Sequence, residues 1–545
     1  MSKDNDFLKQ WIHDMAGLIE SNTEPDSNHF NSFLINPELA FQLIDIINLM
    51  TDEQVENERA YYSACIYALD VCVAQLQSSH ETGSKSAHKT LNRLMDYLAE
   101  IIRQNNHSLS FWLPILNAFY DVHVELSSTL RDAYLDLAGQ DVEVSDESEV
   151  DHLAAIQDMI TELSDLSVFD IAENFFAQSH AMPAEFFCDL VIDLYSVPQG
   201  QDIALLGLMH PKPEVRSMVA ATIEELIHAV TFTSNSLSRL QVLANWYPQP
   251  YQDQFNRWIK IQRMKGVVFR KESKAPTYKI KSSEVDGSGA QGIFVQFRKG
   301  RKYRLCGLLL KQGLGIKDAW ITPEMDSKEI ERYYADAFDE SVSLRGVNVD
   351  YLQLITNHFL AVTVNQGKSP DLHLLEIQEM LGLHFHPELI DIPAIIDNIS
   401  IQITPFTPEL IASSFKRSRS WFGTKAFCES WFIESAHVDK LVNRCSSIVN
   451  GVKICVIEDA LDAIFELELE KHRDYWLFHF LWAALWLKSH SRKNEKTWQD
   501  SFLIAYSIHN GTPLIDIPIM QEIARNTVLN SIETMNERRT YLNQE

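Results

Sequence analysis

At 545 residues the chain is too long for one ordinary hydrophobic core, so we expect about two to four domains or a continuous repeat array. Hydrophobic residues make up 46% of the sequence and aromatic residues 10%, which excludes disorder as the main state. The formal net charge of −28 excludes a protein that is basic throughout.

No segment has the composition of a secretory signal or the length of a membrane span. The start, MSKDNDFLKQ, is polar and lacks the cationic and apolar regions of a signal. The most apolar run, residues 475–487, is 13 residues long, whereas a bilayer span needs about 20, so it predicts a buried core helix. The seven cysteines are scattered and form no CxxC pair, which is typical of reduced thiols. We therefore expect a cytoplasmic protein without a membrane span.

The first predicted region, residues 1–150, consists of helices. Between Tyr62 and Leu76 the apolar residues recur at steps of three and four, which places them on one helical face. The run at residues 140–151 contains six acids and no base. We expect a solvated loop there, with Ser145 or Asp146 capping the helix that follows.

A second helical region is predicted over residues 151–264, and residues 201–230 give it a distinct pattern. The sequence His-Pro-Lys-Pro at residues 210–213 breaks a short helix. The apolar face of the next helix is formed by Val215, Val219, Ile223, Leu226 and Val230. This helix–turn–helix resembles one HEAT-type repeat, a family whose helix pairs pack on their neighbours because one pair cannot bury its own apolar side. The resemblance implies a mainly α fold, an irregular HEAT-like helical array.

The pattern changes at about residue 265, and a small antiparallel β-meander is predicted over residues 265–325 as an insertion in this array. Four strands are predicted at residues 278–283, 292–297, 303–310 and 317–321, separated by glycine-rich and basic connections. In the second strand Ile293, Val295 and Phe297 alternate with Phe294 and Gln296, which predicts one buried and one exposed face. Residues 326–545 are predicted to be a C-terminal helical region.

Charge is strongly segregated along the chain. Residues 257–317 hold 16 of the 47 Lys and Arg but only three acids, which gives this window a net charge of +13. Since the whole chain carries −28, the remainder carries −41. We call this window the basic island. Its candidate partner-binding residues are Arg298, Lys299, Arg301, Lys302, Arg304 and Lys311.

Three environments suit such an island. Phosphates of DNA or RNA would be neutralised by the cations while the island's aromatic residues stack on bases. Alternatively, the cations dock on an acidic protein surface, which belongs either to this chain's own helices or to a partner. In the third case the cations are simply solvated and the aromatic residues face the core. We favour an acidic protein surface, because the −41 remainder repels a polyanion at long range.

Two glycine-containing sequences match part of a nucleotide-binding motif, but the residues and elements that should surround such a motif are missing. GSGAQG at residues 287–292 satisfies GxGxxG, but a strand is predicted after it where a Rossmann fold requires a helix, and no DFG supports a kinase. We expect a hairpin loop whose glycines supply positive φ. In GKS at residues 367–369, Val362 replaces the first glycine of a P-loop and Pro370 follows at once. We therefore predict no cofactor.

Histidines near residue 380 are the candidates for metal ligands. His373, His384 and His386, with Glu376 and Asp391 nearby, could supply imidazole and carboxylate groups. No HExxH or other diagnostic spacing is present. We predict no metal site, and His384 and His386 are the weak candidates for one.

These observations predict a non-enzymatic macromolecular binding protein, an adaptor or scaffold that uses helical surfaces and the basic β-module. The alternative is a nucleic-acid-binding protein that acts through the basic island. A third hypothesis is an enzyme with an active site between helices, since catalytic residues need not be adjacent in sequence. A protein partner is expected, and the oligomeric state is left open.

Overall fold

A computed structural model describes residues 2–21, 23, 25, 27–81, 83–104, 106–144, 152–271, 278–337, 342, 344–403, 405–449, 452–489 and 496–542. The chain folds into two compact units. Unit 1 consists of Met1–Leu208 and Glu214–Ile223, and unit 2 consists of Met209–Pro213 and Glu224–Glu545.

The regular elements of unit 1, among its described residues, are all helices. Its helices are α1 (Ser2–Glu20), α2 (Asn31–Ile35), α3 (Leu39–Asn48), α4 (Asp52–Asn57), α5 (Arg59–Glu81), α6 (Lys85–Ile102), α7 (Leu109–Asp121), α8 (Ser128–Val144), α9 (His152–Glu162), α10 (Val168–Gln178), α11 (Ala184–Ser196), α12 (Gly200–Leu206) and most of α13 (Pro213–Leu226). Short 3-10 turns lie at Ser27–Phe30 and Gly207–Met209.

Helix α5 is central to unit 1. Helices α1, α3, α6 and α7 all pack against it. Its predicted apolar residues are buried, with Cys65, Leu69 and Cys72 fully inaccessible to solvent. The Tyr62 hydroxyl donates a hydrogen bond to the Phe111 carbonyl at 2.5 Å and so ties α5 to α7. The steps of three and four in the sequence therefore identified the core face of this helix correctly.

The acidic run expected to be a loop begins inside a helix. Helix α8 extends through Val144, so the loop prediction was wrong for residues 140–144. Residues 140–144 contain neither proline nor glycine, and Gln140 and Glu143 are good helix formers, so nothing in the sequence stops α8 at residue 140. The remaining residues of the run, including the proposed caps Ser145 and Asp146, lie outside the described residues.

The helix–turn–helix predicted at residues 201–230 is present. Helix α12 ends in a 3-10 turn, and Pro213 begins α13 at the first helical position, where its missing N–H costs no hydrogen bond. Val215, Val219 and Ile223 are buried as expected. Because α13 ends at Leu226, Val230 lies beyond the helix and is only half-buried.

Unit 2 combines helices with a β-sheet. Its strands are β1 (Tyr278–Ser282), β2 (Ala290–Lys299), β3 (Lys302–Lys311), β4 (Gly315–Ile321), β5 (Arg345–Gly346), β6 (Ser446–Val449) and β7 (Val452–Cys455). Its helices are α14 (Ser234–Trp246), α15 (Gln249–Met264), α16 (Ser327–Ala337), α17 (Val349–Asn365), α18 (Leu372–Leu381), α19 (Ile392–Gln402), α20 (Pro408–Ser418), α21 (Ala436–Arg444), α22 (Ile457–Ile464), α23 (Arg473–Ser489), α24 (Thr497–His509) and α25 (Pro518–Leu542). Further 3-10 turns lie at Ala426–Cys428, Glu470–His472 and Leu514–Asp516, and a π-helical turn at Phe465–Leu469.

The main sheet confirms the predicted meander and enlarges it. Its strand order is β4-β3-β2-β1-β5, and all neighbours are antiparallel. Each of the four predicted strands exists, with ends within about three residues of the expected ones. The short strand β5 adds a fifth member from beyond the predicted meander, at Arg345–Gly346. The mainly α fold with a small β-meander is therefore confirmed.

Both faces of this sheet are covered, which differs from the half-exposed strand expected for β2. Ile293, Val295 and Phe297 are buried on one face, as predicted. Phe294 points to the other face but is only 8% exposed, because its ring contacts Trp320 of β4 and Tyr334 of α16. Helix α16 thus converts the predicted solvent face into a second buried layer.

The apolar run at residues 475–487 forms most of α23 and is a core helix, as predicted. Eleven of the 17 residues of α23 are buried, so it contacts protein on almost every side. Trp482 and Trp486 donate hydrogen bonds to Gln291 of β2 and Ser282 of β1, which attach this helix to the sheet. Within the described parts of the chain, no helix is long and apolar enough to cross a membrane.

Asp70 of α5 gives unit 1 an unusual pH dependence. Its Oδ1 atom has no hydrogen-bond partner among the described residues. Burial, with a further contribution from the Asp121 carboxylate, raises the pKa of Asp70 to about 7. In an unfolded chain an aspartate titrates at about 3.9, so the folded state holds an extra proton between about pH 4 and pH 7. The stabilisation from this proton is complete below about pH 4 and is lost as the pH rises through 7.

We therefore expect Asp70→Asn to raise the free energy of unfolding of unit 1 at pH 8 by about 1–3 kcal/mol and to change it little at pH 4. Hydrogen-exchange protection of the α5 amides in the full chain is the measurement, because two units need not unfold together. Asp96→Asn, at an exposed position of α6, is the matched control. A loss of protection in Asp70→Asn at pH 8 would contradict the expectation.

His479 of α23 gives unit 2 the opposite dependence. The side chain is fully buried, and neither ring nitrogen has a hydrogen-bond partner among the described residues. Its ring lies against Trp431 and Trp476, with centroid separations of 4.6 Å and 5.2 Å. Burial lowers the pKa of His479 to about 3, whereas an exposed histidine titrates at about 6.5. Stability that depends on the neutral ring is therefore lost as the pH falls from about 6.5 to 3.

At pH 5 the unfolded wild-type chain is stabilised because its His479 binds a proton, which the buried ring of the folded state cannot do. His479→Leu removes this effect. We therefore expect the variant to raise the free energy of unfolding by about 2 kcal/mol more at pH 5 than at pH 7.5. Protection of the α23 amides against hydrogen exchange reports it. His509→Leu, which changes an exposed histidine of α24, should show no such difference between the two pH values. Equal effects of His479→Leu at both pH values would show that the ring is not held neutral.

Candidate partner-binding surfaces

Much of the basic island is bound to its own chain. Arg304 of β3 donates from Nε to the Thr322 carbonyl at 2.9 Å, and its Nη1 lies 4.0 Å from a carboxylate oxygen of Glu376 on α18. The same Nη1 lies 3.8 Å from the sulfur of Met380. The side chain of Arg304 is 21% exposed, so this predicted site residue contributes to the packing of the sheet on α18.

A second carboxylate of α18, Glu379, is held by two arginines. Arg239 of α14 donates from Nε and Nη2 to its two oxygens at 2.7 Å and 3.2 Å. Arg270, which follows α15, donates from Nη1 at 3.1 Å. Arg239 is almost fully buried, and a bidentate pair of this kind is stronger than an exposed ion pair. Glu379 therefore connects α14, α18 and the segment that leads into the sheet.

Other cations of the island also have intramolecular partners. The ammonium group of Lys265 donates to three carbonyls at the end of α13, between residues 227 and 230, at 2.6 to 3.0 Å. Arg257 pairs with Glu224 at 3.5 Å. Lys281 lies 4.0 Å above the ring of Tyr334, which is a cation–π contact. These cations stabilise the fold of unit 2 and are not available as a set to a partner.

Among the six candidate residues, the side chains described as exposed lie at the turn between β2 and β3. We call residues 298–302 the hairpin tip. Arg298 and Lys302 are exposed on the two strands, and Arg301 is exposed in the turn. Lys299 is the last residue of β2 and pairs in register with Lys302. Arg298 donates from Nε to the Gly300 carbonyl at 2.8 Å, which holds its side chain over the turn.

The structure does not bring all six predicted residues together. Arg304 is bound to Thr322 and lies beside Glu376, as described above. Lys311 lies at the opposite end of β3, nine residues from Lys302 and thus about 30 Å away along the strand. There its ammonium group donates to the Ser288 hydroxyl at 2.5 Å. The predicted cluster is therefore reduced to Arg298, Lys299, Arg301 and Lys302.

The aromatic residues of the island belong mainly to the core. Trp258, Phe294 and Phe297 are buried, and Trp320 is half-buried against Tyr333 of α16. Stacking on nucleic-acid bases requires aromatic faces that are open to solvent beside the cations. Residues 298–302 include no aromatic residue, and Tyr303, the next residue of β3, is half-buried.

The glycine-rich loop is closely packed against residues 430–432. A Cβ atom on Gly287 would lie 1.9 Å from the Ser430 carbonyl, so only glycine fits this close approach of two backbones. Gly289 has a φ of 68°, as the predicted hairpin loop requires. Strand β2 already begins at Ala290, so the last residues of the motif belong to the sheet.

A groove of about 520 Å³ lies elsewhere in unit 2. One wall is a face of α14, the second is the end of α18 with the segment that follows it, and residues 269–271 close one end. The Trp246 indole donates to the Phe385 carbonyl at 3.1 Å, and the Ser238 hydroxyl accepts from the Arg270 N–H at 2.9 Å. These two bonds, together with the Arg239–Glu379 pair, fix the walls relative to each other.

The two weak metal candidates, His384 and His386, both lie in the wall of this groove and are exposed. They are in an extended segment after α18, whereas His373 lies within α18 beside Asp371 and Glu376. Asp391 accepts from the Ala394 N–H as the N-cap of α19. Among the described residues, no three His, Cys, Asp or Glu side chains are placed to hold one metal ion.

The sequence did not identify the groove, because its walls come from segments more than 100 residues apart. One local signal was nevertheless present. Asn235, Ser238, Gln241 and Asn245 recur at steps of three and four, which places a polar stripe on one face of α14. A stripe of hydrogen-bonding side chains on an otherwise packed helix indicates a face that is open to solvent, and here that face borders the groove.

Three family models match separate parts of the chain. The Y4lR second domain matches residues 183–266, a domain of unknown function (DUF7401) matches residues 271–386, and the Y4lR C-terminal helical domain matches residues 393–532. The main sheet and the hairpin tip fall in the second of these ranges. The segment that resembles a HEAT repeat falls in the first, and none of the three models is a HEAT repeat, so that resemblance is not confirmed.

The chain is also similar to the uncharacterized protein y4lR of Sinorhizobium fredii (strain NBRC 101917 / NGR234), with 23% identity over 334 residues. The match covers 60% of this chain and 61% of the relative, so the chain spans less than two thirds of the relative's length. No solved structure matches the chain.

The different surroundings of Arg304 and Arg301 lead to a stability prediction. We expect Arg304→Glu to lower the free energy of unfolding of unit 2 by about 2–3 kcal/mol, because it places a second carboxylate near Glu376 and leaves the Thr322 carbonyl without its donor. Urea denaturation of the full chain, followed by hydrogen exchange in β3, measures the change.

Arg301→Glu makes the same change of charge at an exposed turn position and is the control. Its effect should stay within about 0.5 kcal/mol. If the two variants were equally stable, the contact between Arg304 and α18 would contribute nothing to the fold.

Proposed function

We propose that this protein is a non-enzymatic binding protein, an adaptor that holds an acidic partner protein through its hairpin tip. The observation that carries the proposal is the division of the basic island into two parts. Arg304, Arg270 and Lys265 are bound to acceptors of the same chain, whereas Arg298, Arg301 and Lys302 are exposed together on one short hairpin.

The geometry of the tip suits carboxylates on a protein surface. Arginine presents planar pairs of N–H donors that match a carboxylate, and two arginines lie within four residues here. A β-hairpin also holds these side chains on a backbone of fixed register, so less conformational entropy is lost on binding than in a flexible tail. Rim charges of this kind raise the association rate and the specificity more than the affinity.

A protein partner is favoured over nucleic acid by the position of the aromatic residues. Trp258, Phe294 and Phe297 are engaged in the core and Tyr303, beside the tip, is half-buried, so little aromatic surface is open there for stacking on bases. A cytoplasmic location is part of the proposal. It is supported by the cysteines, since Cys65, Cys72 and four others are free thiols among the described residues.

The test uses the full chain as bait in an extract of its native host, with and without nuclease. We expect nuclease-resistant protein partners that the variant Arg298→Glu/Arg301→Glu/Lys302→Glu recovers at least about tenfold less well, because reversal of three rim charges opposes an acidic surface. A partner recovered in this way is then purified, and its binding is measured as a function of salt, which should weaken it.

The matched control is Arg419→Glu/Lys440→Glu/Arg444→Glu, which makes the same change in net charge at exposed positions of unit 2 far along the chain from the tip. This control should bind as the unaltered protein does, with an unchanged melting temperature in both variants. Capture that is abolished by nuclease and by reversal of the tip would establish the nucleic-acid alternative. Capture that is insensitive to reversal of the tip would rule out the tip as the binding surface.

A further inference from the structure

The groove along α14 has the length of a short extended peptide. Its lining residues on α14 run from Asn235 to Asn245, ten residues that rise about 15 Å along the helix axis. An extended chain rises about 3.3 Å per residue, so four or five residues of peptide match this length. The volume of about 520 Å³ also lies in the range of about 300–1,000 Å³ that is usual for ligand sites.

The polar stripe of α14 suits a peptide backbone. A side-chain amide offers both an N–H donor and a carbonyl acceptor, which is the pair of groups that each peptide unit presents. Asn235, Gln241 and Asn245 bring three such amides to the groove, spaced over its length. Among the described residues, the side chains of Asn235 and Gln241 make no hydrogen bond, so they are open to a ligand.

The charges of the groove favour an acidic ligand. The one carboxylate among its described lining residues is Glu379, and it is already bound by Arg239 and Arg270. Lys271 adds a further cation at the same end, and it is exposed. The lining cations Arg270 and Lys271, with one carboxylate that is already paired, give this end of the groove a net attraction for anions in a chain that is otherwise acidic.

The groove also has apolar surface between its polar groups. Val242 lies on the α14 wall, and Leu383 and Phe385 lie on the opposite wall. Alternate side chains of an extended peptide point in opposite directions, so one set can contact these residues while the backbone meets the amides. A small inorganic anion would use only the cationic end and leave the amides and the apolar wall without a role.

We propose that this groove binds an extended acidic peptide of about five residues, with its backbone on the amides of α14 and a carboxylate at Arg270 and Lys271. The occupant is a segment of a partner protein. None of the groove residues belongs to the hairpin tip, so this proposal and the proposed function can fail separately.

The test is binding of fluorescein-labelled hexapeptide pools in which one position at a time is fixed as Glu, Lys or Ala. Purified full-length protein should bind the Glu pools more tightly than the Ala pools, and the Ala pools more tightly than the Lys pools. We expect Gln241→Ala/Asn245→Ala to weaken binding of the best peptide about tenfold, since two hydrogen bonds are lost. Lys271→Glu should weaken the Glu pools and strengthen the Lys pools.

Two controls separate recognition by the groove from general attraction. Asn256→Ala removes an exposed amide of α15 outside the groove and should bind as the unaltered protein does. A version of the best peptide with methylated backbone nitrogens keeps its carboxylates but loses its N–H donors, and it should bind at least about tenfold more weakly. The tip variant Arg298→Glu/Arg301→Glu/Lys302→Glu should bind the peptide normally.

The proposal is overturned if no pool binds with a dissociation constant below about 1 mM. It is also overturned if binding is unaffected by both groove variants. Tight binding of the methylated peptide would show that the side-chain amides of α14 do not accept hydrogen bonds from the peptide backbone. If the tip variant alone abolished binding, the peptide would occupy the hairpin tip, and the groove would not be the site.

Discussion

The acidic face of α18 is the feature on which the arrangement of unit 2 depends. Glu376 and Glu379 are three residues apart and therefore lie on one side of this helix. Glu379 binds one arginine of α14 and one that precedes the sheet, and Glu376 lies beside Arg304 of β3. Because Arg239, Glu376 and Glu379 are largely buried, loss of the cations that face these carboxylates would leave a buried charge without compensation. One helix thereby orients the groove wall, the entry to the sheet and the sheet itself.

This arrangement accounts for the use of the basic island inside the fold. A helix with two carboxylates on one face must meet cations where it is covered, and residues 257–317 supply two of the three, Arg270 and Arg304, while Arg239 of α14 is the third. Of the six candidate residues, Arg298, Arg301 and Lys302 are exposed, and all three lie at the turn between β2 and β3. Part of the basic island thus serves contacts within the chain. The described cations of the hairpin tip, which make no such contact with α18, form the candidate surface for a partner.

Sequence patterns predicted the helices and strands that depend mainly on residues close together in the chain. Strands β1 to β4 follow from alternation and from glycine at the turns, and α23 follows from its apolar composition. The two-residue strand β5 and the burial of Phe294 depend on distant segments that cover the sheet, so local patterns could not give them. For the same reason the hairpin tip was found from the sequence, since its cations are adjacent, whereas the groove was not.

The acidic remainder of the chain limits which ligands the two surfaces can hold. At physiological salt the charge of a group is screened over about 8 Å, so a carboxylate at the hairpin tip responds mainly to Arg298, Arg301 and Lys302. A long polyanion such as DNA extends beyond this distance and meets the rest of a chain with a net charge of −28. A partner whose negative charge is confined to a short segment avoids this repulsion. A small basic surface on an acidic protein therefore favours partners whose negative charge covers a short segment, so the length of the charged region matters as well as its sign.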